Sequence, residues 1–248
     1  MNPDPELEII KPGWRAPSRV KALSTLRQGG FSQPPYDSFN LAEHVGDEQD
    51  NVLRNRELLQ AALNLPAEPN WLEQTHSTRV VILESDTSRS ADAAITRLVD
   101  TVAVVMTADC LPILLCNQAG TEVAVVHAGW RGLADGVIQA TLKKIQSPVN
   151  QLMAWIGPGI SQQYFEVGDE VRDIFLAHSD QIQRYFIANS PGHWLCDLQG
   201  LATGILRSHG VAEIDAAPGC SYRDEAQFFS YRRFAITGRM ASLIWIES

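Results

Sequence analysis

The sequence predicts an α/β protein of mixed α+β type, a single domain over residues 1–248 with mixed β-sheets and helices packed outside. Three observations predict it. The centre of the chain holds three short apolar runs rich in β-branched residues, Val102 to Met106, Ile113 to Cys116 and Val123 to Val126, each suited to a buried strand. Helical periodicities are interleaved with such runs but not in strict βαβ alternation, so the sheets are expected to be mixed. At 248 residues, 45% hydrophobic and 20% charged, the chain can bury a large core without disulfides, and no repeat, low-complexity tract or linker divides it.

Taken in order, Arg19 to Leu26 reads as a strand that runs into Arg27-Gln28-Gly29-Gly30. The glycines there permit a tight turn or the close approach of a ligand. After the Pro34-Pro35-Tyr36 turn, Asn40-Leu41 begins another ordered segment. Val52 to Leu63 has helical spacing, with Val52, Leu59 and Leu63 on one face. Val80 to Leu83 reads as a strand, and the polar stretch Ser85 to Ala91 is too short to separate domains. Beyond the three central strands, Leu133 to Ile145 is expected to be one amphipathic helix, because Leu133, Val137, Thr141 and Ile145 recur every four residues. Leu152 to Ile156 is a further strand, stopped by the Gly157-Pro158-Gly159 turn. Gly168 to His178 and Leu198 to His209 read as helices, and Val211 to Ala216 and Met240 to Ile246 as closing strands.

The formal net charge of -9 argues against a general basic surface for nucleic acid. It leaves room for a small anion, since a few arginines can make a local positive pocket in an acidic protein. The four cysteines, Cys110, Cys116, Cys196 and Cys220, form no C-x-x-C pair. The N-terminal Met1-Asn2-Pro3-Asp4-Pro5-Glu6 has neither the basic nor the apolar region of a secretory signal. Free thiols in a reducing cytosol follow, and the expected location is cytoplasmic. Asp109 and Pro112 interrupt the most apolar stretch, so no membrane span is expected.

Three stretches bring a soft-metal ligand to the end of a hydrophobic run: Gln74-Thr75-His76, Ala108-Asp109-Cys110 and His127-Ala128-Gly129-Trp130-Arg131-Gly132. One cysteine and two histidines make the ligand set of a catalytic zinc, whose fourth position stays open to water or substrate. Each residue also has a plainer reading. His127 alone would more often be a core histidine bonded to backbone, and Cys110 alone a small buried hydrophobe. His76, in a loop, is the weakest of the three on its own. Asp109, an acid between apolar strands, needs a partner, and the second nitrogen of a ligand histidine is a natural one. Cys116 is expected to face the core. Arg27, Arg131, Arg232 and Arg233 are either surface or salt-bridged residues, or a clamp for an oxyanion such as phosphate. There is no phosphate-loop motif, no G-x-S-x-G elbow, no dinucleotide fingerprint and no H-x-E…P-C-x-x-C signature.

Ser38-Phe39-Asn40-Leu41, Ala108-Asp109-Cys110-Leu111-Pro112, the His127 to Gly132 stretch, Gly157-Pro158-Gly159-Ile160 and Phe228-Phe229-Ser230-Tyr231-Arg232-Arg233 together resemble the YfiH-type, laccase-domain family. Its members have been called polyphenol oxidases, purine nucleoside phosphorylases and peptidoglycan-editing factors. The resemblance runs from about Arg19 to the C-terminus. It implies a zinc site of His76, Cys110 and His127, with copper as the alternative metal. It also implies phosphorolysis of adenosine, inosine and S-methyl-5′-thioadenosine, with adenosine deamination as a second activity. The partners would then be a purine nucleoside and phosphate. On this reading Cys110, His127, Arg131 and Asp109 are catalytic, and Arg27, Asn40 and Arg232 bind substrate. Ser77 and Ser221 depart from the family pattern without touching the ligands.

Two other chemistries suit the same residues. A thiol hydrolase acting on peptidoglycan precursors would use Cys110 as nucleophile and His127 as base. A copper-dependent polyphenol oxidase would use the trio as copper ligands. A true multicopper laccase needs many more histidines than the six here, typically in H-x-H pairs that this chain lacks.

Overall fold

The central runs lack polar alternation because both of their faces are covered. The computed structural model describes residues 7–248; Met1 to Glu6, read above as an N-terminus without a signal, lie outside the described residues. Two sheets stack face to face between helical layers. The larger runs in the order β12 (Glu213–Ala216), β8 (Leu152–Ile156), β6 (Leu111–Asn117), β7 (Val123–Ala128), β4 (Ala93–Thr96) and β3 (Val80–Ile82). Its two outermost pairs are parallel and its inner pairs antiparallel. The smaller, antiparallel throughout, runs β1 (Ile9–Ile10), β2 (Val20–Thr25), β13 (Met240–Ile246) and β5 (Ala103–Thr107). The expected mixed α/β domain is the one observed.

Alternate residues of each central strand serve different cores. Ile113, Ala124 and Val126 pack under the helices α2 (Trp130–Asp135), α3 (Val137–Lys144), α4 (Asp169–Leu176) and α5 (Leu198–Ser208). Leu114, Val125 and Trp155 point the other way and meet Val105 and Ile244 of the smaller sheet. The remaining face of the smaller sheet is closed by Leu59 of α1 (Gln49–Ala62), with Phe39 and Leu41. A third, antiparallel sheet of β9 (Glu166–Gly168), β11 (His193–Cys196) and β10 (Phe186–Ser190) lies beside α4. Among the described residues no helix is long and apolar enough to cross a membrane.

The helix expected over Leu133 to Ile145 is two helices. Gly136 between α2 and α3 has φ 94°, a left-handed conformation that ends the first helix. The four-residue periodicity survives the break, because Leu133, Val137 and Thr141 are all buried. Cys116 faces the inter-sheet core as expected, and all four cysteines are free thiols.

Candidate metal centre

β5 ends in the smaller sheet and β6 begins in the larger, so Ala108-Asp109-Cys110 cross from one sheet to the other. This crossing delivers Cys110 to the mouth of the layer between them. Strand register supplies the second candidate ligand. Leu111 pairs with Ala128 and Pro112 with His127, which puts Cys110 and His127 on the same face of the sheet. The third candidate ligand, His76, comes from the loop before β3. Gln74 pins that loop, its Nε2 donating to Met106 O and its Oε1 accepting from Met106 N, both at 2.7 Å.

Asp92, directly before β4, joins the parts. Its backbone oxygen accepts from His127 N at 2.7 Å. Its fully buried carboxylate accepts from His76 N (3.0 Å), Ser77 N (2.6 Å), Ser77 Oγ (2.7 Å) and Thr75 N (3.2 Å), and it bonds His127 Nδ1 at 2.8 Å. One carboxylate thus holds the His76 loop and orients the His127 ring, leaving Nε2 free to serve a metal. Burial works against this charge, but the bonds from His127 and Ser77 outweigh it and hold the carboxyl far below its usual range. The bond to a histidine's second nitrogen that was expected of Asp109 is therefore made by Asp92. Asp109 instead accepts from Ser221 Oγ (2.6 Å) and Arg232 N (2.7 Å), tying the C-terminal loops to the crossing segment. His76 and Asp109 both hold positive φ, 60° and 97°, strain of the kind that gathers at functional sites.

The geometry fits a metal. The ligand atoms of His76, Cys110 and His127 all lie within 4.8 Å of one another. Cys110 Sγ and His76 Nε2 are 3.7 Å apart. Tetrahedral zinc bonds to sulfur and nitrogen would span about 3.6 Å. His127 is buried, Cys110 partly so and His76 exposed, so the trio faces a solvent-reachable position. Gly129, next to the Leu111–Ala128 pair, has to be glycine: a Cβ there would lie 2.8 Å from Cys110 Sγ and 2.9 Å from His76 Cδ2. Gly129→Ala is expected to keep the fold while weakening metal affinity about ten- to a hundredfold, the range for disturbed ligand orientation. Competition with a chromophoric chelator measures it, and unchanged affinity would contradict the packing argument.

Charges in the trio are coupled. Burial opposes a thiolate at Cys110, but the charge and hydrogen bond of His127, with a bond from His76, lower the thiol to about 6. Burial likewise opposes the imidazolium, yet Cys110 and Asp92 raise His127 to about 9. Between those values the metal-free pair is thiolate and imidazolium and carries one proton. Metal needs both donors deprotonated, so binding expels that proton. Apparent metal affinity should rise about tenfold per pH unit from about 6 to about 9 and level off above. Titration calorimetry in buffers of different ionisation enthalpy measures the release, and no release at pH 7.5 would contradict the pairing.

The trio opens into a cavity of about 460 Å³. Arg131, Arg232, Arg239, Trp130, Tyr231 and His44 are among its lining residues. Of the residues expected to bind substrate, Arg232 lines the cavity, while Arg27 and Asn40 are not among its lining residues. Arg27 is buried, its guanidinium donating to Asp37 O and Glu225 O while pairing with Asp37 and lying over the Phe229 ring. Gly30 close by packs against Ser38 and Asn55 rather than a ligand. Asn40 is 0% exposed and holds Ala42, Asp47 and the backbone N–H of Arg239. Arg233 donates to the carbonyls of Ser221, Tyr222 and Phe228. Asp92, Arg239 and His44 went unread in the sequence; a lone acid before Ala93-Ala94-Ile95 was the one available signal.

Residues 21–247 match the family model described as multi-copper polyphenol oxidoreductase laccase. A protein named purine nucleoside phosphorylase YfiH from Escherichia coli is 46% identical over 241 residues, covering 96% of this chain and 99% of its own. A purine nucleoside phosphorylase of Mycobacterium tuberculosis is 36% identical over 236 residues, covering 92% and 93%. Among solved structures, a Neisseria meningitidis protein superposes with a TM-score of 0.93 at 44% identity, over 97% of this chain and 99% of that one. The protein YlmD of Geobacillus stearothermophilus gives 0.83 at 28% identity, over 98% and 100%.

Proposed function

The chain belongs to the family described as multi-copper polyphenol oxidoreductase laccase, and from that premise we propose that it is a zinc-dependent purine nucleoside phosphorylase acting on adenosine, inosine and S-methyl-5′-thioadenosine. One observation carries the reading. Arg131, Arg232 and Arg239 all line the cavity at the metal trio, and none has a carboxylate within ion-pair distance among the described residues. Unpaired guanidiniums in a protein of net charge -9 suit an anionic substrate such as phosphate. The names of the relatives point the same way.

In the reaction a phosphate oxygen bonds to ribose C1′ as the bond from C1′ to the purine nitrogen breaks. The base leaves with the electron pair and takes the proton that hydrogen phosphate brought. The products are free purine and ribose 1-phosphate, or 5-methylthioribose 1-phosphate when the substrate is the thioadenosine. Arginines hold the dianion beside the developing positive charge on the sugar, and the cavity orients both substrates. His76, Cys110 and His127 would hold the zinc, which as a Lewis acid supplies polarisation of a substrate or water oxygen. Adenosine deamination is proposed as a secondary activity, with water attacking C6 and ammonia leaving. Copper oxidation of phenols fits less well, because among the described residues this trio is the one His/Cys/Asp/Glu group with ligand spacing.

A second reading has its own support. Asp92, His127 and Cys110 form a carboxylate–imidazole–thiolate series, the arrangement of a cysteine hydrolase, for which peptidoglycan precursors would be the substrates. One assay separates the two. Zinc-replete protein is given adenosine with and without phosphate, and adenine, inosine and ribose 1-phosphate are followed. Phosphate-dependent adenine and ribose 1-phosphate, abolished by a chelator, are expected. Hydrolysis of a muramyl peptide that survives chelation and is lost on thiol alkylation would favour the second reading.

A further inference from the structure

The cavity's arginines are not equivalent. Arg131 is exposed and lies over the Trp130 ring at 4.3 Å. Arg232 is also exposed, and its Nη1 is tied to Glu166 O at 2.8 Å. Arg239 sits deeper. It directly precedes β13, whose first residue Met240 pairs with Thr107, and so it starts beside the segment that carries Cys110. Its backbone N–H donates to Asn40 Oδ1 (3.0 Å), and its Nη1 is held by Thr237 O and Gly238 O, both at 2.9 Å. Nε and Nη2 have no partner among the described residues, and neither is sealed in the interior. A guanidinium fixed on one edge and open on the other is a preorganised fork for an oxyanion.

His44 lines the same cavity from the short turn Glu43–Val45. Burial, Arg239 and Arg56 all lower it, so it is a neutral imidazole at neutral pH, able to donate one hydrogen bond and accept another. Hydrogen phosphate, which both accepts and donates, matches that capacity. Burial also lowers Arg239, opposed by Cys110 and Asp109; this is a partly desolvated cation without a direct counter-ion among the described residues.

We infer that Arg239, with His44 beside it, is the phosphate subsite of the cavity, and that Arg131 and Trp130 border the nucleoside. The assignment rests on the phosphorylase reading for its ligand but is tested by binding. Zinc-replete protein is titrated calorimetrically with inorganic phosphate, and separately with adenosine. Arg239→Ala should weaken phosphate about ten- to a hundredfold, the effect of losing a charge-assisted fork. Arg239→Lys, which keeps charge but not the fork, should fall between, and Arg131→Ala should weaken phosphate less than either. Zinc content and adenosine affinity should stay at wild-type levels in both Arg239 variants.

Wild-type phosphate affinity in Arg239→Ala and Arg239→Lys, a larger loss in Arg131→Ala, or no phosphate binding by the wild type would overturn the subsite. Should the alanine variant fail to fold, the lysine variant decides. Phosphate binding that depends on Arg239, without ribose 1-phosphate from any nucleoside, would sink the phosphorylase reading and leave the subsite standing. Phosphorolysis with an unchanged phosphate KM in both Arg239 variants would do the reverse.

Discussion

Asp92→Ala is expected to cost about 3–5 kcal/mol of stability and to lower metal affinity at least about ten- to a hundredfold. The first effect comes from the donors left behind. Backbone N–H groups of Thr75, His76 and Ser77 and the His127 ring all point at a carboxylate that is 0% exposed. The His127 ring is the buried donor, and stranding it costs about 1–3 kcal/mol, more when it is charged; the loop amides belong to exposed or half-buried residues and add less each. The second effect follows because the same bonds set the His76 loop and the His127 ring. Asp92→Asn keeps the shape but can accept at only one oxygen, so it should lie between. Denaturant unfolding of metal-free protein, with chelator competition on the loaded form, reads both. An alanine variant with wild-type stability would mean that the loop amides are satisfied in some other way.

Cys110→Ala should remove the metal and, with it, nearly all phosphorolysis. The side chain is only partly buried at the sheet crossing and contributes little packing, so the fold should remain. Losing a metal that stabilises transition-state charge by several kcal/mol corresponds to about a thousandfold or more in kcat. Cys110→Ser exchanges a soft thiolate for a poor ligand and should hold zinc far more weakly. Elemental analysis and initial rates on the same samples test this. Full zinc occupancy with no activity would assign Cys110 to nucleophilic chemistry instead of coordination.

Cys110 and His127 were legible as candidate ligands because each stands at the end of an apolar strand, a local pattern that survives folding, whereas His76 lies in a loop and was raised only by the family resemblance. Strand positions were legible for the same reason: Met240 to Ile246 and Leu152 to Ile156 are continuous apolar runs, as strands covered on both faces must be. What escaped was set by tertiary contact. Phe186–Ser190 is mostly exposed and so carries no hydrophobic pattern. Gly136 interrupts a helix whose side-chain periodicity continues undisturbed. Arg27 and Arg239 look alike as arginines beside glycines, yet one is enclosed by carbonyls and a carboxylate while the other opens on the cavity. Asp92 and Asp109 are a similar pair. Each is an acid just before an apolar strand, and only the antiparallel pairing of Ala93 with Val126 brings the first, not the second, opposite His127.

X-ray absorption of zinc-replete protein at the zinc edge tests the account at its root, the coordination of one metal by His76, Cys110 and His127. The predicted first shell is one sulfur at about 2.3 Å with two imidazole nitrogens and one exchangeable oxygen at about 2.0 Å. The sulfur should disappear in Cys110→Ala. A shell without sulfur in the wild type, or one closed by four protein ligands, would contradict a catalytic metal at this position.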